Sequence, residues 1–524
     1  MLEKIIESWL TKINERQYQL PFCQLLSAEG EQVIYISSHN PYEKGKDVVT
    51  LTSDGAIRAY QLKAGDLNLS EWRAIAGEID DLVRLPVTHP SIPEKRWHSP
   101  FLVTNGEISE PVLEAIRAAN DSWEMRNLPK LIVISKGELV SRFRAAHGSF
   151  VPKEINDLNR LLKLFLAVGE DPLQKESLFE LLKETLQLDN SQLSATAMKQ
   201  SVASATLMLS YVLLPHQRAG NHWAEFEGWV ILAASILSCA TKFAVSRKSF
   251  DYSLALCRLG INSSLGRLFD ECALRPNLVE GDPLTDGFFY GYRVTILNGL
   301  FSALALSRRI SGDRVDEHRI LNFVGKHLRR GRAWGESAAP YYMMTALFIE
   351  NASARLDGEN LMGSLLGAIA VANRTDGTGF PNPYISVDQA VRSAAGIPPV
   401  STEQFVGFSY SIAVVIEYLA RRWRKQLLKQ IWPSITRISL LETRPSEDWA
   451  WFLWSTSLAT LDNRLTPEPQ SWQHLLETAE HRDTGVLPPL MRENSWLLPY
   501  FLLVFPHRLT VATQMQLEAA ISTS

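Results

Sequence analysis

Cysteine is scarce in this sequence, which has only four among 524 residues: Cys23, Cys239, Cys257 and Cys272. Structural zinc sites draw on pairs of ligands that stand a few residues apart, and no such cysteine pair is present. So few cysteines in a long chain also suit a reducing compartment. We therefore expect a cytoplasmic protein without a structural zinc site.

Long apolar segments are missing as well. The longest run, Gly228–Ala240, is shorter than the ~20 residues that a membrane-spanning helix requires, so we interpret it as a buried core helix. Residues 1–17 form an amphipathic pattern with acids in the first turns, whereas a signal peptide needs a basic start and an apolar run. These patterns predict a protein with no membrane partner.

Positive charge is not in excess either, because 53 lysines and arginines face 57 aspartates and glutamates, for a net charge of -4. Any contact with nucleic acid must therefore come from a local basic surface. Two short basic clusters, at 326–332 and 421–425, look like helix C-termini, where cations interact favourably with the helix dipole. We expect both clusters to be solvated helix ends rather than DNA-binding surfaces.

The first 150 residues alternate between strand and helix patterns. Asp54-Gly55 separates two strand patterns and predicts a hairpin. Runs of β-branched and aromatic residues predict strands at 33–36, 47–52, 56–63, 100–104 and 131–134. Helical periodicity precedes the first strand and separates the later ones, so residues 1–152 are predicted to form an α/β domain with one mixed sheet and flanking helices.

Residues 153–524 show helical periodicity almost throughout, and strand-type alternation is scarce. Several of the predicted helices are apolar on most of their faces, which is typical of helices packed inside a multi-helix body. No repeat of fixed length is present. This part is predicted to be a large all-α region that senses, regulates or oligomerises, with a candidate internal boundary at the glycine- and proline-rich segment 373–400.

Three polar residues converge on one end of the predicted hairpin. Asp47 starts its first strand, while Gln61 and Lys63 lie near the end of its second strand and point to the same side. An acid and a lysine among apolar neighbours are costly to bury unless they serve each other or a ligand. The alternatives are a cross-strand ion pair and a catalytic site.

Phosphodiester hydrolysis uses such a set of side chains. Mg²⁺, or Mn²⁺ in its place, prefers oxygen ligands, which the Asp47 carboxylate and the Gln61 amide can supply. A bound metal lowers the pKa of its water and offsets the charge of the phosphate. Lys63 can hold the attacking water and stabilise the negative charge that develops in the transition state.

The arrangement resembles the PD-(D/E)xK nuclease superfamily, and within it the Mrr-like restriction endonucleases, over about residues 15–145. The matching segments are 18–26 for the first helix, Gly45-Lys46-Asp47 for the G-x-D segment, Gln61-Leu62-Lys63 for the Q-x-K strand, and 101–106 and 131–139 for later strands. The resemblance implies a restriction-endonuclease-like mixed sheet with Asp47, Gln61 and Lys63 as catalytic residues. It also implies cleavage of double-stranded DNA, in prokaryotic defence against foreign DNA.

The first helix departs from the family, because Gln19 stands where a glutamate is usual. Asp47 alone would hold a metal weakly, so we expect a second carboxylate to approach the site. Glu15 shares a face with Gln19 if the helix is continuous, although Pro21 favours a helix that begins near Gln19. Glu43 is the competing acid, four residues before Asp47. We favour Glu15 as the metal ligand, with Gln19 contacting a metal-bound water.

The sequence therefore predicts a magnesium-dependent endodeoxyribonuclease whose helical region binds a partner protein or forms a homo-oligomer. Two alternatives stay open. Gln19 in place of glutamate favours a helical interaction protein whose N-terminal domain has lost catalysis and binds only nucleic acid or a partner. A nuclease that acts on RNA would use the same residues.

Overall fold

The chain forms two compact units. The first comprises Met1–Asn221 and Phe243–Cys257, and the second comprises His222–Lys242 and Arg258–Ser524. The computed structural model describes residues 2–37, 45–52, 54–89, 92–147, 164–245, 250–281, 287–313, 316–352, 357–374, 377, 379–394, 406–454, 459–464, 471–481 and 487–523. The predicted boundary at residue 152 lies outside these described residues.

The first unit is built around a mixed five-stranded sheet. Its elements are α1 (Leu2–Lys12), α2 (Glu15–Ala28), β1 (Gln32–Ile36), β2 (Val48–Leu51), β3 (Ile57–Lys63), α3 (Leu69–Arg84), β4 (Val87–His89), β5 (Ile92–Arg96), β6 (Ser99–Thr104), α4 (Glu110–Glu124), β7 (Ile132–Ile134), α5 (Lys136–His147), α6 (Lys175–Thr185) and α7 (Ala195–Arg218). The strand order is β1-β2-β3-β6-β7, in which β1, β2 and β3 are antiparallel neighbours and β3, β6 and β7 are parallel. The predicted α/β domain with a mixed sheet is confirmed, and β4 and β5 add a hairpin that the sequence analysis missed.

The central strand β3 separates two apolar cores. Tyr60 and Leu62 belong to the core that the sheet forms with α2, α5 and α7, whereas Ile57 and Ala59 belong to the core formed with α3 and α4. Because successive side chains of a strand point to opposite faces, β3 needs apolar residues at both sets of positions. This dual burial leaves little freedom in the register of the strand.

A buried acid, Glu31, links the antiparallel strands. Its carboxylate accepts hydrogen bonds from the Thr50 hydroxyl, from the Arg58 guanidinium at 2.6 Å and from the Tyr60 hydroxyl at 2.8 Å. The three donors come from β2 and β3. A buried carboxylate with this many donors is well compensated, so Glu31 serves the fold.

The second unit is mostly helical. Its helices are α8 (His222–Lys242), α9 (Asp251–Leu274, whose first residues belong to the first unit), α10 (Pro276–Glu280), α11 (Gly287–Ile310), α12 (Glu317–His327), α13 (Ala339–Ala352), α14 (Gly358–Ala372), α15 (Val387–Ala394), α16 (Ile412–Arg421), α17 (Lys425–Ile435), α18 (Trp472–Glu480), α19 (Pro489–Glu493), α20 (Leu498–Val504) and α21 (Val511–Ser522). Several short 3-10 helices connect them. The segment 373–400, predicted as a loop and candidate boundary, contains α15.

The predicted layout, an α/β domain followed by a mostly helical region, is confirmed, but the helical region is not purely α. Three short strands, β8 (Phe408–Ser409), β9 (Ser439–Pro445) and β10 (Ala459–Arg464), form a sheet in the order β10-β9-β8. In β9 the buried side chains alternate, because Leu441 and Thr443 point inward between more exposed neighbours. An alternation this short is hard to distinguish from the longer helical patterns around it, so these strands were not predicted from the sequence.

The apolar run Gly228–Ala240 lies inside α8, a helix of 21 residues. By length and composition α8 could cross a membrane, but 94% of its most apolar window is buried inside the protein. It packs against the short 3-10 helix Asp448–Phe452 and against α20. The prediction of a buried core helix is confirmed, and the helix is longer than the apolar run suggested.

Replacing Gly106 should destabilise the first unit, because a Cβ atom there would lie 2.1 Å from the carbonyl carbon of Gly65. These glycines follow the parallel strands β6 and β3, so their close approach sets one edge of the sheet. We expect Gly106→Ala to lower the free energy of unfolding by about 1–3 kcal/mol. Gly77→Ala, in an open position of α3, is the matched control and should stabilise the protein slightly. Denaturant unfolding followed by circular dichroism measures both, and equal effects would contradict the packing argument.

His98 should make the first unit sensitive to acid. Burial and the nearby charge of Lys46 lower the pKa of His98 to about 4 from 6.5, and its Nε2 atom lies 2.8 Å from the Leu82 carbonyl oxygen. The folded state therefore binds fewer protons than the unfolded state between these values. Stability is fully present above about pH 6.5 and falls toward pH 4, by at most about 1.4 kcal/mol per pH unit.

The measurement is hydrogen exchange of β6 and α3 amides in the full chain between pH 5 and 7, corrected for intrinsic rates. His98→Gln should flatten the pH dependence of their protection. An unchanged pH dependence in this variant would assign the acid sensitivity to other groups.

Candidate active site

The register of β2 and β3 brings Asp47 beside Gln61. Val48, the first residue of β2, pairs with Tyr60, so Asp47 and Gln61 flank the last pair of the ladder. The Asp47 amide donates to the Tyr60 carbonyl oxygen at 2.9 Å, and its carboxylate Oδ2 accepts from the Leu62 amide at 2.7 Å. Asp47 is thus held by backbone groups of the central strand.

Gln61 and Lys63 lie on one face of the sheet. They continue the set of β3 positions that begins with Ile57 and Ala59 and faces α3 and α4. Asp47 directly precedes β2, and its charge raises the pKa of Tyr18 and Cys23, which are buried on the α2 side of the sheet. The strand pairing therefore joins Gln61 with Lys63 on one face and places Asp47 at the strand end beside them.

Lys63 forms its ion pair with α3. Its Nζ lies 2.7 Å from Oε2 of Glu78, and only 18% of its side chain is exposed. Burial by itself lowers the pKa of Lys63, but the hydrogen bond to Glu78 and the charges of Glu15 and Asp47 raise it above its ordinary value. Lys63 is therefore a stable cation at neutral pH, and Asp47 contributes the smallest of these effects.

Gln61 carries an acceptor that lacks a donor. The side chain is 4% exposed, and its Oε1 atom has no hydrogen-bond partner within the described parts of the chain. A buried carbonyl oxygen without a donor destabilises a fold by about 1–3 kcal/mol. Such an atom is available to a ligand that offers positive charge, and a metal ion or its water fits that requirement.

The helix α2 brings Glu15 toward the same end of the sheet. The Tyr18 hydroxyl, less than one helical turn from Glu15, donates to the Lys63 carbonyl oxygen at 2.9 Å. Burial raises the pKa of Tyr18 well above its ordinary value, and the charges of Glu15 and Asp47 raise it further. The charge of Glu15 therefore reaches both Tyr18 and Lys63, and its role as a metal ligand stays a prediction.

The structure corrects the alternative in which the helix begins near Gln19, with Pro21 in its first turn. α2 begins at Glu15 and continues through Pro21, its seventh residue. Tyr18, Phe22 and Leu25 are buried on either side of the proline, and their packing outweighs the backbone hydrogen bond that proline cannot donate. Glu15 and Gln19 consequently lie one turn apart on one continuous helix.

Gln19 is the next predicted site residue along α2. Gln19 is buried, and its Nε2 donates to the Ser37 carbonyl oxygen over a long distance of 3.5 Å. Glu43 lies outside the described residues. Among the residues that are described, no group of three or more histidine, cysteine, aspartate or glutamate side chains is arranged to hold a metal. A metal at this site would combine carboxylates with the neutral Gln61 oxygen.

Two charged neighbours of the site were not predicted from the sequence. Glu78 has no local sequence signal, because its contact depends on how α3 crosses β3. Gly45 holds a clue, since its φ is +70° and a Cβ atom there would lie 2.2 Å from the Glu78 carbonyl oxygen. Lys46, the residue before Asp47, is also buried, and its Nζ reaches α3, 3.5 Å from the Asp81 carbonyl oxygen.

The cysteines take no part in such a site. The structure places all four as buried free thiols, and burial raises the pKa of Cys23 to about 12. Comparison with known proteins adds no functional assignment. No protein-family model, no curated protein and no solved structure matches this chain.

Proposed function

We propose that the first unit is a metal-dependent endonuclease that hydrolyses double-stranded DNA, with Mg²⁺ or Mn²⁺ as its cofactor. The observation that carries the proposal is the buried Gln61 oxygen without a donor, beside Asp47 and on the same face as Lys63. The resemblance to PD-(D/E)xK nucleases and the order of helices and strands support it. Cytoplasmic location and a role in defence against foreign DNA stay predictions of the sequence.

In this proposal each residue of the site has a distinct role. Asp47 and Gln61 would hold the metal, with Glu15 as the second carboxylate. A bound metal would supply positive charge to the phosphate and acidify a water molecule. Lys63 orients the attacking water and stabilises the negative charge that develops on the phosphate oxygens. Glu78 positions the Lys63 ammonium before DNA arrives, because the two are in direct contact.

One observation favours a non-catalytic alternative. The Lys63–Glu78 ion pair neutralises the cation that would contact the phosphate, and a domain that has lost catalysis could keep this pair for stability. Exposed ion pairs contribute little to stability, however, and the Glu78 side chain is 52% exposed. The pair is therefore a weak structural reason for retaining Lys63.

Cleavage should require Asp47 and Lys63. We expect the full chain to cut supercoiled plasmid with Mg²⁺ or Mn²⁺ and to lose about 10²–10³-fold in rate in Lys63→Ala and Asp47→Asn. Asp47→Asn removes the charge while keeping an acceptor for the Leu62 amide. Lys130→Ala is the matched lysine control, because Lys130 pairs with Glu124 on the surface. RNA of similar length, assayed in parallel, tests the RNA alternative.

Three outcomes have different meanings. Full activity in Lys63→Ala, or cleavage that persists in EDTA, would contradict the metal-nuclease proposal. Binding of DNA without cleavage by the parent protein, with circular dichroism showing a folded chain, would support the non-catalytic alternative. Preferential cleavage of RNA would support the same metal-dependent hydrolysis with RNA, not DNA, as the substrate.

The metal requirement should identify the second carboxylate. We expect Glu15→Gln to raise the metal concentration for half-maximal cleavage by at least about tenfold, because even indirect contacts to a metal contribute that much. Glu43→Gln and Gln19→Ala should have smaller effects. Glu78→Gln should change the rate through Lys63 and leave the metal requirement alone. If Glu15→Gln cuts like the parent at limiting metal, the assignment of Glu15 is wrong.

A further inference from the structure

A cleft in the second unit has the chemistry of a ligand site. Its volume is about 320 Å³, and it is lined by side chains of α17 and α18. Both helices pack against α16, which holds the two sides of the cleft together. Ligand pockets in proteins range from roughly 300 to 1,000 Å³, which makes this one suitable for a single small group.

The polar side chains that line the cleft are all hydrogen-bond donors. Lys425 and Lys429 carry ammonium groups, and Trp432 and Trp472 carry indole N–H groups. Leucine and proline side chains supply the remaining surface. A ligand that fits must therefore offer acceptor oxygens and a flat apolar face, and it should bring few donors of its own.

The two lysines keep their positive charge available. Their neighbours Arg421, Arg422 and Arg424 are each paired with carboxylates. Lys425 and Lys429, by contrast, form no ion pair with an acid in the ranges that the structure describes. They lie one helical turn apart on the same face of α17, and Lys425 Nζ lies 5.9 Å from the centre of the Trp472 ring. The lysines thus place two cations beside an aromatic surface.

We propose that this cleft binds a nucleotide, with the base against the indole rings of Trp432 and Trp472 and the phosphate between Lys425 and Lys429. Bases stack readily on aromatic side chains, and lysine acts as a point charge for phosphate. An acidic peptide fits less well, because its backbone N–H donors would find no side-chain acceptor here. The nucleotide is either free or part of a single strand, and the proposal does not depend on nuclease activity.

The test measures binding to the full chain in EDTA, so that cleavage plays no part. Equilibrium dialysis with adenosine monophosphate, adenosine and inorganic phosphate asks whether base and phosphate are both needed. We expect the monophosphate to bind at least about tenfold more tightly than either fragment. Trp472→Ala and the double variant Lys425→Ala/Lys429→Ala should each weaken binding about tenfold, while Trp472→Phe retains most of it.

Lys242→Ala is the matched control, since Lys242 Nζ lies 4.5 Å from the centre of the Trp449 ring, outside the cleft. It should bind like the parent. Fluorescence anisotropy with a labelled oligothymidylate distinguishes a free nucleotide from one in a single strand. If the oligonucleotide binds more tightly than the monophosphate, with the same sensitivity to the variants, the ligand is a single strand. If the monophosphate binds more tightly, the ligand is a free nucleotide.

Three results would overturn the proposal. The first is the absence of saturable binding of both the monophosphate and the oligonucleotide. The second is binding that the double lysine variant leaves unchanged, which is decisive even if Trp472→Ala fails to fold, because both lysines are exposed. The third is tighter binding of an acidic peptide of glutamate and phenylalanine residues than of either nucleotide probe.

Discussion

The position of β3 is the constraint on which the first unit depends. The strand pairs on both edges, with β2 and β6, and it is covered on both faces by apolar cores. A shift of one residue would move Tyr60 and Leu62 out of one core and Ala59 out of the other, so the register is strongly specified. The location of Gln61 on the α3 face follows from this register.

Two buried polar side chains on this sheet, Glu31 and Gln61, differ in whether the protein satisfies their hydrogen-bonding groups. Glu31 lies on the Tyr60 side, and its carboxylate receives donors from both neighbouring strands. Gln61 lies on the opposite side with a carbonyl oxygen that receives none within the described residues. Folding alone explains the first arrangement. The second destabilises the fold unless something else binds there, and that difference points to a ligand at Gln61 beside Asp47.

In the second unit, too, polar groups that are paired within the protein can be told apart from polar groups that are left for a ligand. The protein is slightly acidic overall, so its cations can find carboxylates, and the arginines of the 421–425 cluster do so. The cluster predicted as a solvated helix end is instead largely an internal ion-pair network, in which Arg422 also stacks on Tyr418. Unlike these arginines, Lys425 and Lys429 have no ion-pair partner among the described residues, and they lie beside two tryptophans, where they can bind a ligand.

Local pattern alone determined much of this protein. The alternation along β3, the Asp54-Gly55 hairpin and the shared side of Gln61 and Lys63 follow from backbone geometry over a few residues, and all are visible in the sequence. Tertiary packing decided the rest. The contact of Glu78 with Lys63 depends on how α3 crosses the sheet, and the continuity of α2 through Pro21 depends on the burial of Phe22. The pairing of β8 with β9 and the tryptophan cleft join segments about 30–50 residues apart, and such contacts are set by the packing of whole elements, which no short stretch of sequence encodes.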